Sequence, residues 1–182
     1  SGPQLTVDPL PSPTNRTTLL MSGSASVDST LQVGIVAPAD SGTVSSVPVV
    51  DSAGYWQLEV SNLTPNAVTE FLVIAINQFG TTEQLMTVEV DTNPPWLTVD
   101  PLPAVVNSSE QWLSGTVEAG ASISLLKDEA AFQSVAVVGN DWNLLVTDLQ
   151  PGENVIGFRA IDAAGNSCEL VLTLDYQPPL PM

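Results

Sequence analysis

The stretch Leu5-Thr6-Val7-Asp8-Pro9-Leu10-Pro11 occurs a second time, without change, as Leu97-Thr98-Val99-Asp100-Pro101-Leu102-Pro103. Seven consecutive identities at a separation of 92 residues are not expected by chance in a chain of 182 residues. Repeats of this length are whole domains in tandem, because solenoid repeats span only about 20–45 residues. The sequence therefore predicts two copies of one folding unit.

Other landmarks recur in the same order in both halves of the chain. Ser22-Gly23 corresponds to Ser114-Gly115, Trp56 to Trp142, and Ala75-Ile76-Asn77 to Ala160-Ile161-Asp162. The separation falls from 92 residues in the first of these pairs to 85 in the last, mainly between Leu31 and Tyr55. The first copy therefore carries about six extra residues in its middle strands.

The predicted boundary between the copies lies in Asp91-Thr92-Asn93-Pro94-Pro95, which gives domains at residues 1–93 and 94–182. Two prolines fix two φ angles and keep the preceding residue extended, so we expect a short, stiff linker. Asp175-Tyr176-Gln177-Pro178-Pro179 has the same pattern. We therefore expect a further domain to follow, as in a longer series of repeats.

The composition favours β-structure in both copies. Hydrophobic residues make up 43% of the chain, enough for a core, while 15 prolines and 12 glycines interrupt short runs rich in Thr and Val. No segment has sustained helical periodicity, so each copy is predicted to be an all-β sandwich of seven short strands. In the second copy these strands are predicted at 97–99, 111–117, 122–126, 133–138, 142–146, 155–161 and 168–174.

The charge of the chain excludes one class of partner. The net charge is −17, and the basic residues are only Arg16, Lys127 and Arg159. Nucleic-acid binding needs clustered lysine and arginine at the phosphates, so it is excluded, and anionic membrane surfaces repel the chain. No apolar run approaches the ~20 residues of a membrane helix. We expect neither nucleic acid nor membrane insertion.

The inventory of reactive side chains argues against an enzyme. The chain has no histidine, one cysteine (Cys168) and one lysine. A single cysteine excludes an intrachain disulfide, and without histidine or a second cysteine it lacks the usual partner of a nucleophile. Two carboxylates could hydrolyse a glycoside, but only when they face each other across a cleft, which two slim sandwiches do not obviously offer.

The second copy resembles a known group of proteins through several motifs together. These are Ser114-Gly115-Thr116-Val117-Glu118-Ala119-Gly120, Asp141-Trp142, Leu149-Gln150-Pro151-Gly152 and Asp162-Ala163-Ala164-Gly165-Asn166. This series is similar to the bacterial immunoglobulin-like repeats of large secreted surface and biofilm adhesins. The first copy is degenerate, with Ser26 and Asn77 where the second has Glu118 and Asp162.

This resemblance implies a seven-stranded Greek-key immunoglobulin-like sandwich in each copy. It also implies spacer or stalk repeats of an extracellular bacterial surface protein, with neighbouring repeats of the same chain as partners. An alternative of a different class is a pair of carbohydrate- or protein-binding modules, attached to a secreted enzyme or adhesin and recognising surface polysaccharide or protein. Because one fold serves many functions, the fold alone does not choose between them.

Four oxygen-bearing residues suggest a calcium site between the copies. In the second copy the turns that hold Glu118 and Asp162 are predicted at the end where the first strand begins, and Asp91 and Asn93 approach from the first copy. Carboxylate and amide oxygens are the ligands that Ca²⁺ prefers. In the related repeats, an acidic linker residue and the acidic turns hold calcium at domain junctions, which implies this role for Asp91, Glu118 and Asp162. Asn93 is added from this sequence alone.

A simpler interpretation of the same residues stays open. Asp91 can end its strand, Asp162 can close a turn through its own side chain, and Glu118 can be solvated.

Among the aromatic residues, Trp56 and Trp142 are predicted to fill the two cores, because both copies keep a tryptophan early in the fifth strand. Trp112 and its counterpart Leu20 are predicted to point outward, since alternation turns Leu113 and Gly115 inward. Trp96 follows the double proline and is predicted to pad the joint between the copies. Exposed aromatic residues such as these are what a binding module would use.

Overall fold

The computed structural model describes residues 1–127 and 130–180, without the side chains of Lys127 and Ala130. The backbone forms two compact units, Ser1–Asn93 and Pro94–Met182. All regular secondary structure in the described part of the chain is β-strand. The same part contains no helix that is long and apolar enough to cross a membrane.

The first domain contains seven strands in two sheets. They are β1 (Leu5–Val7), β2 (Leu19–Ala25), β3 (Thr30–Ala37), β4 (Thr43–Val44), β5 (Tyr55–Ser61), β6 (Ala67–Asn77) and β7 (Gly80–Val90). One sheet has the order β1-β2-β5-β4 and the other the order β3-β6-β7, all antiparallel. This is the arrangement of a Greek-key sandwich of the immunoglobulin type.

The core of the first domain lies between these two sheets. Along β6, the buried side chains alternate with partly exposed ones, as expected when one face of a strand packs inward. Trp56 of β5 is 3% exposed. It packs with other buried side chains from both sheets, among them Met21, Leu31, Leu58, Val60, Phe71, Val73, Val88 and Val90.

The second domain repeats this plan with one additional strand. Its strands are β8 (Val105–Val106), β9 (Gln111–Thr116), β10 (Ser122–Lys127), β11 (Ala130–Val135), β12 (Val137–Val138), β13 (Asp141–Val146), β14 (Gly152–Ile161) and β15 (Ser167–Tyr176). The sheets have the orders β12-β13-β9 and β11-β10-β14-β15-β8. Trp142 is 2% exposed and packs on Phe158, with ring centroids 5.1 Å apart.

The sixth predicted strand of the second copy, 155–161, lies within β14, and its side chains alternate between the two faces of the strand. Ile156, Phe158 and Ala160 are buried, while Val155 and Ile161 on the opposite face are exposed.

The fourth predicted strand of the second copy, 133–138, is wrong as a single strand. Residues up to Val135 pair with β10 in one sheet, whereas Val137 and Val138 pair with β13 in the other. The chain changes sheets at Ala136, and no proline or glycine lies between Val135 and Val137, so the sequence does not mark the crossing. The described part of this domain has eight strands rather than the predicted seven, because this strand is divided in two, while β8 was not predicted and 97–99 is not a strand.

The first predicted strand of the second copy, 97–99, is reduced to a bridge between Leu97 and Val117. Thr98 N still donates to Thr116 O, and Asp100 N to Ser114 O, both at 2.8 Å, so the segment runs beside β9. The bond from Thr116 N to Thr98 Oγ1 has a counterpart in the first domain, from Ser24 N to Thr6 Oγ1, where β1 remains a strand. What differs in the second domain is the Thr98 carbonyl oxygen, which accepts the Trp142 indole N–H at 3.1 Å.

In each domain, a segment close to the N-terminus also joins the last strand in parallel. In the first domain, Thr14 bridges Val90, with Thr14 N donating to Glu89 O and Asp91 N donating to Thr14 O, both at 2.9 Å. In the second, β8 pairs in parallel with the end of β15. The N-terminal segment therefore contributes to both sheets of its sandwich.

Candidate functional site

The repeated heptapeptide makes the same side-chain contacts in both domains. In the first, Asp8 Oδ2 accepts a hydrogen bond from Ser22 Oγ at 2.6 Å, and Thr6 Oγ1 lies 2.7 Å from Ser24 Oγ. In the second, Asp100 Oδ2 accepts from Ser114 Oγ at 2.6 Å, and the hydroxyls of Thr98 and Thr116 lie 2.6 Å apart. The identical residues are therefore those that attach the first strand to its neighbour.

A glycine and a tryptophan complete this attachment in each domain. Gly23 pairs with Trp56 across β2 and β5, and Gly115 pairs with Trp142 across β9 and β13. A Cβ atom at either glycine would overlap the carbonyl oxygen of the heptapeptide threonine, Thr6 or Thr98. Only glycine allows so close a backbone approach. The repeated motifs thus have a structural role, and the prediction that both tryptophans are core residues is confirmed.

The two tryptophans differ in one respect. The indole Nε1 of Trp142 donates to Thr98 O at 3.1 Å. The Nε1 of Trp56 is buried and has no hydrogen-bond partner among the described residues. Leaving a buried donor unpaired costs roughly 1–3 kcal/mol. The first domain therefore carries a polar atom whose partner its own fold does not supply.

In the second domain, Glu118 and the turn holding Asp162 are placed at the same end. Glu118 N donates to Trp96 O at 3.1 Å, where the heptapeptide strand begins. Glu118 also lies near Cys168, which pairs with Ala160 just before the Asp162 turn. The arrangement of these two acidic turns agrees with the expectation from the sequence.

The carboxylate of Asp162 is used within its own turn. Its Oδ1 accepts from Asn166 N at 2.8 Å, and its Oδ2 accepts from Asn166 Nδ2 at 2.9 Å. This is the turn-closing role that the simpler interpretation assigned to Asp162. Glu118 is half-buried.

In the first domain, Asp91 and Asn93 lie together at the end of β7. Asp91 Oδ1 accepts a hydrogen bond from Asn93 N at 3.0 Å. Both residues line a hollow of about 350 Å³ that also includes Asn66 and Glu89. The Asn66 Oδ1 atom accepts from Thr92 N at 2.9 Å, so the polar atoms here also organise the chain as it leaves the last strand.

Among residues 1–127 and 130–180, no group of three or more His, Cys, Asp or Glu side chains is arranged to hold a metal ion. Asp91 and Asn93 belong to the first domain, whereas Glu118 and Asp162 belong to the second. The calcium site therefore stays a prediction from the sequence.

This site can be tested by thermal unfolding in millimolar CaCl₂ and in EDTA. A ligand bound only by the folded state stabilises by mass action, by about 2.7 kcal/mol when its concentration is one hundred times the dissociation constant. We expect a higher melting temperature in calcium, lost in Glu118→Gln and kept in Glu169→Gln. Identical transitions in both buffers would remove the site.

Cys168 lies half-buried in β15. Burial raises the pKa of its thiol above the ordinary value, and the nearby negative charge of Glu118 raises it further, while a hydrogen bond involving the Ala160 backbone lowers it. A raised pKa keeps the thiol protonated at neutral pH and so reduces its nucleophilicity. The environment of Cys168 is thus not that of an activated cysteine.

The predicted outward orientation of Trp112 and Leu20 is confirmed, since each is 61% exposed. Trp96 is 47% exposed, and its role at the joint stays a prediction.

The sequence reasoning missed a groove on the first domain, which we call the Trp56 groove. Its volume is about 690 Å³, within the range typical of small-molecule sites. It is lined by Asp8, residues 22–23, residues 46–49, Asp51 and residues 55–57. Residues 46–51 fall where the first copy carries its additional residues, so the length difference between the copies was the available signal.

No protein-family profile and no curated protein matches the chain. Among solved structures, the "I-band fragment I67-I69 from titin" is similar with a TM-score of 0.64 at 15% identity, covering 98% of this chain and 67% of that one. The "3Ig structure of titin domains I67-I69 E-to-A mutated variant" is similar with a TM-score of 0.50 at 13% identity, covering 97% and 66%. The chain thus spans about two thirds of these fragments.

These similarities show the fold, and the sheet orders of both domains describe it in detail. The chain is a tandem of immunoglobulin-like β-sandwich domains.

Proposed function

We propose that the two domains are structural spacer repeats of an extracellular bacterial surface or adhesin-type protein, and that they catalyse no reaction. The proposal rests on one observation, which is that the residues repeated in both domains are those that hold each sandwich together. The shared contacts, such as Asp8 with Ser22 and Asp100 with Ser114, attach strands within each sandwich. A spacer depends on a stable scaffold that can be repeated, and it needs no ligand site common to every copy.

The surface turns, by contrast, differ between the domains. Ser26 stands where the second domain has Glu118, and Asn77 stands where it has Asp162. The motif similarity to repeats of secreted bacterial adhesins supports an extracellular location, and the net charge of −17 suits an exposed, soluble surface. In this proposal the partners are neighbouring repeats of the same chain, and calcium at Asp91, Asn93, Glu118 and Asp162 would restrict motion between domains.

The strand arrangement also suits a domain that bears load. Thr14 and Val90 run in parallel, as do β8 and β15. When the two ends of a domain are pulled apart, its N-terminal segment and its last strand are drawn in opposite directions. Because these two segments are parallel neighbours, they slide along each other. The hydrogen bonds between them are then loaded together in shear, so several must break at once before the strands separate.

Single-molecule force spectroscopy of the chain between two handle domains tests this proposal. We expect two unfolding events, one per domain. Thr14→Pro removes the N–H that donates to Glu89 O, so it should lower the force of one event and leave the other unchanged. Thr14→Ala keeps this N–H and is the matched control. Equal forces in Thr14→Pro and Thr14→Ala would contradict a load-bearing role for this contact.

A further inference from the structure

The Trp56 groove exists because a segment of the first domain leaves the edge of its sheet. Ser45 N donates to Glu59 O at 3.1 Å, and Asp51 N donates to Tyr55 O at 2.8 Å. Between these two contacts, no backbone hydrogen bond joins residues 46–50 to β5 in the described part of the chain. The segment 46–50 therefore arches over β5 and encloses the groove.

The arch leaves backbone groups of β5 available to a ligand. Alternate residues of a strand present their N–H and C=O groups to the same edge. Since Tyr55 and Glu59 both bond to the departing chain, Gln57 between them presents its N–H and C=O to the groove. One donor and one acceptor at fixed spacing thus lie on one wall.

The side chains of the groove supply acceptors and an aromatic surface. Asp8 uses Oδ2 for Ser22, and Asp51 uses Oδ1 for the N–H groups of Ala53 and Tyr55. The second oxygen of each carboxylate has no hydrogen bond to another described residue. Tyr55 is 65% exposed, so its ring can contact a bound molecule.

Trp56 also lines the groove. Its indole Nε1 is buried and, unlike that of Trp142, has no hydrogen-bond partner among the described residues. Residues 46–48 border a second hollow as well, of about 500 Å³.

The required ligand chemistry follows from these groups. A ligand must donate to carboxylates, accept from N–H groups and place an apolar face on an aromatic ring. A cation cannot accept from the Gln57 N–H, and a surface with a net charge of −17 repels anions. Hydroxyl groups both donate and accept, and the C–H face of a pyranose ring packs on aromatic rings.

We infer that the Trp56 groove binds a neutral saccharide, of one or two pyranose units. Tyr55 provides the stacking surface, Asp8 and Asp51 accept hydrogen bonds from hydroxyl groups, and Gln57 contributes its backbone. This site belongs to the first domain and lies within the stretch that carries the additional residues. It goes beyond the spacer role and does not depend on it.

The indole N–H signals of the four tryptophans give a direct test by ¹H–¹⁵N NMR. The chain is titrated with glucose, galactose, mannose, N-acetylglucosamine, maltose and cellobiose. We expect at least one sugar to shift the Trp56 signal, because Trp56 lines the groove, with a dissociation constant of about 1 mM. Tyr55→Ala should weaken binding about tenfold or more, equivalent to about 1.4 kcal/mol.

Trp112→Ala is the matched control, because it removes a similarly exposed aromatic residue from the other domain and should leave binding unchanged. Thermal unfolding of Tyr55→Ala shows whether the variant is folded. Three outcomes would overturn the inference: no Trp56 shift with any sugar at roughly 50 mM, unchanged binding in Tyr55→Ala, or a stronger response to arginine amide than to every sugar.

Discussion

Gly115→Ala is expected to unfold the second domain or to destabilise it by about 3 kcal/mol or more, at the upper end of overpacking effects. The new methyl group would overlap the carbonyl oxygen of Thr98, and Trp142 Nε1 lies only 3.0 Å from the same position. The backbone cannot yield without separating Thr98 from β9. That separation also breaks the hydrogen bond from the indole, so two parts of the attachment fail together.

Differential scanning calorimetry separates this effect from a general cost of alanine. Gly23→Ala should produce the same loss in the first domain, because its methyl group would overlap the carbonyl oxygen of Thr6. Gly34→Ala in β3 is the control, since no atom lies within 4 Å of its new methyl group. It should be neutral or slightly stabilising. A Gly115→Ala protein as stable as Gly34→Ala would refute the close approach of these strands.

Trp142→Ala is expected to cost about 3–5 kcal/mol, the usual range for a buried aromatic residue, and Trp56→Ala a similar amount. Each tryptophan fills the space between two sheets, where it is at most 3% exposed. Chemical denaturation followed by circular dichroism measures both losses. Trp112→Ala should change stability by at most about 0.5 kcal/mol, because that side chain is 61% exposed.

Phenylalanine at the same positions distinguishes the two sites. Trp142→Phe loses volume and also the donor to Thr98 O, which adds about 0.5–1.5 kcal/mol. Trp56→Phe loses volume but removes a buried N–H that has no partner in the described structure, so part of its cost is recovered. The second domain should therefore lose more. An equal loss in both domains would mean that the environments of the two indoles do not differ as described.

Much of the fold could be predicted because its determinants are local. When apolar residues recur at every second position, they indicate which face of a strand is buried. Along β14, this pattern identifies the buried face from the strand's own sequence, without reference to the opposite sheet. The heptapeptide revealed the duplication, although not its reason. The hydrogen bond between Asp8 and Ser22 joins residues that are 14 apart, a contact that no short-range pattern encodes.

The features that sequence reasoning missed depend on where the chain leaves one sheet for another. Val135 and Val137 have the same side chain and the same β preference, yet they belong to different sheets. The Trp56 groove also arises where the chain leaves a sheet, since residues 46–50 depart from β5, and Pro48, which has no N–H to donate, is the local signal of that departure. The additional residues of the first copy could be counted, but the hollow that they enclose depends on backbone hydrogen bonds that are absent there.

The two identical heptapeptides also affect refolding. Each can satisfy the docking surface of either domain, because Asp8 and Asp100 meet a serine in the same way and Gly23 and Gly115 leave the same space. During refolding, each heptapeptide can therefore attach to its own domain or to the other domain, and the contacts made in the two arrangements are nearly equal in energy. Proximity along the chain decides between them, since closing the much shorter loop saves roughly 1–2 kcal/mol of entropy.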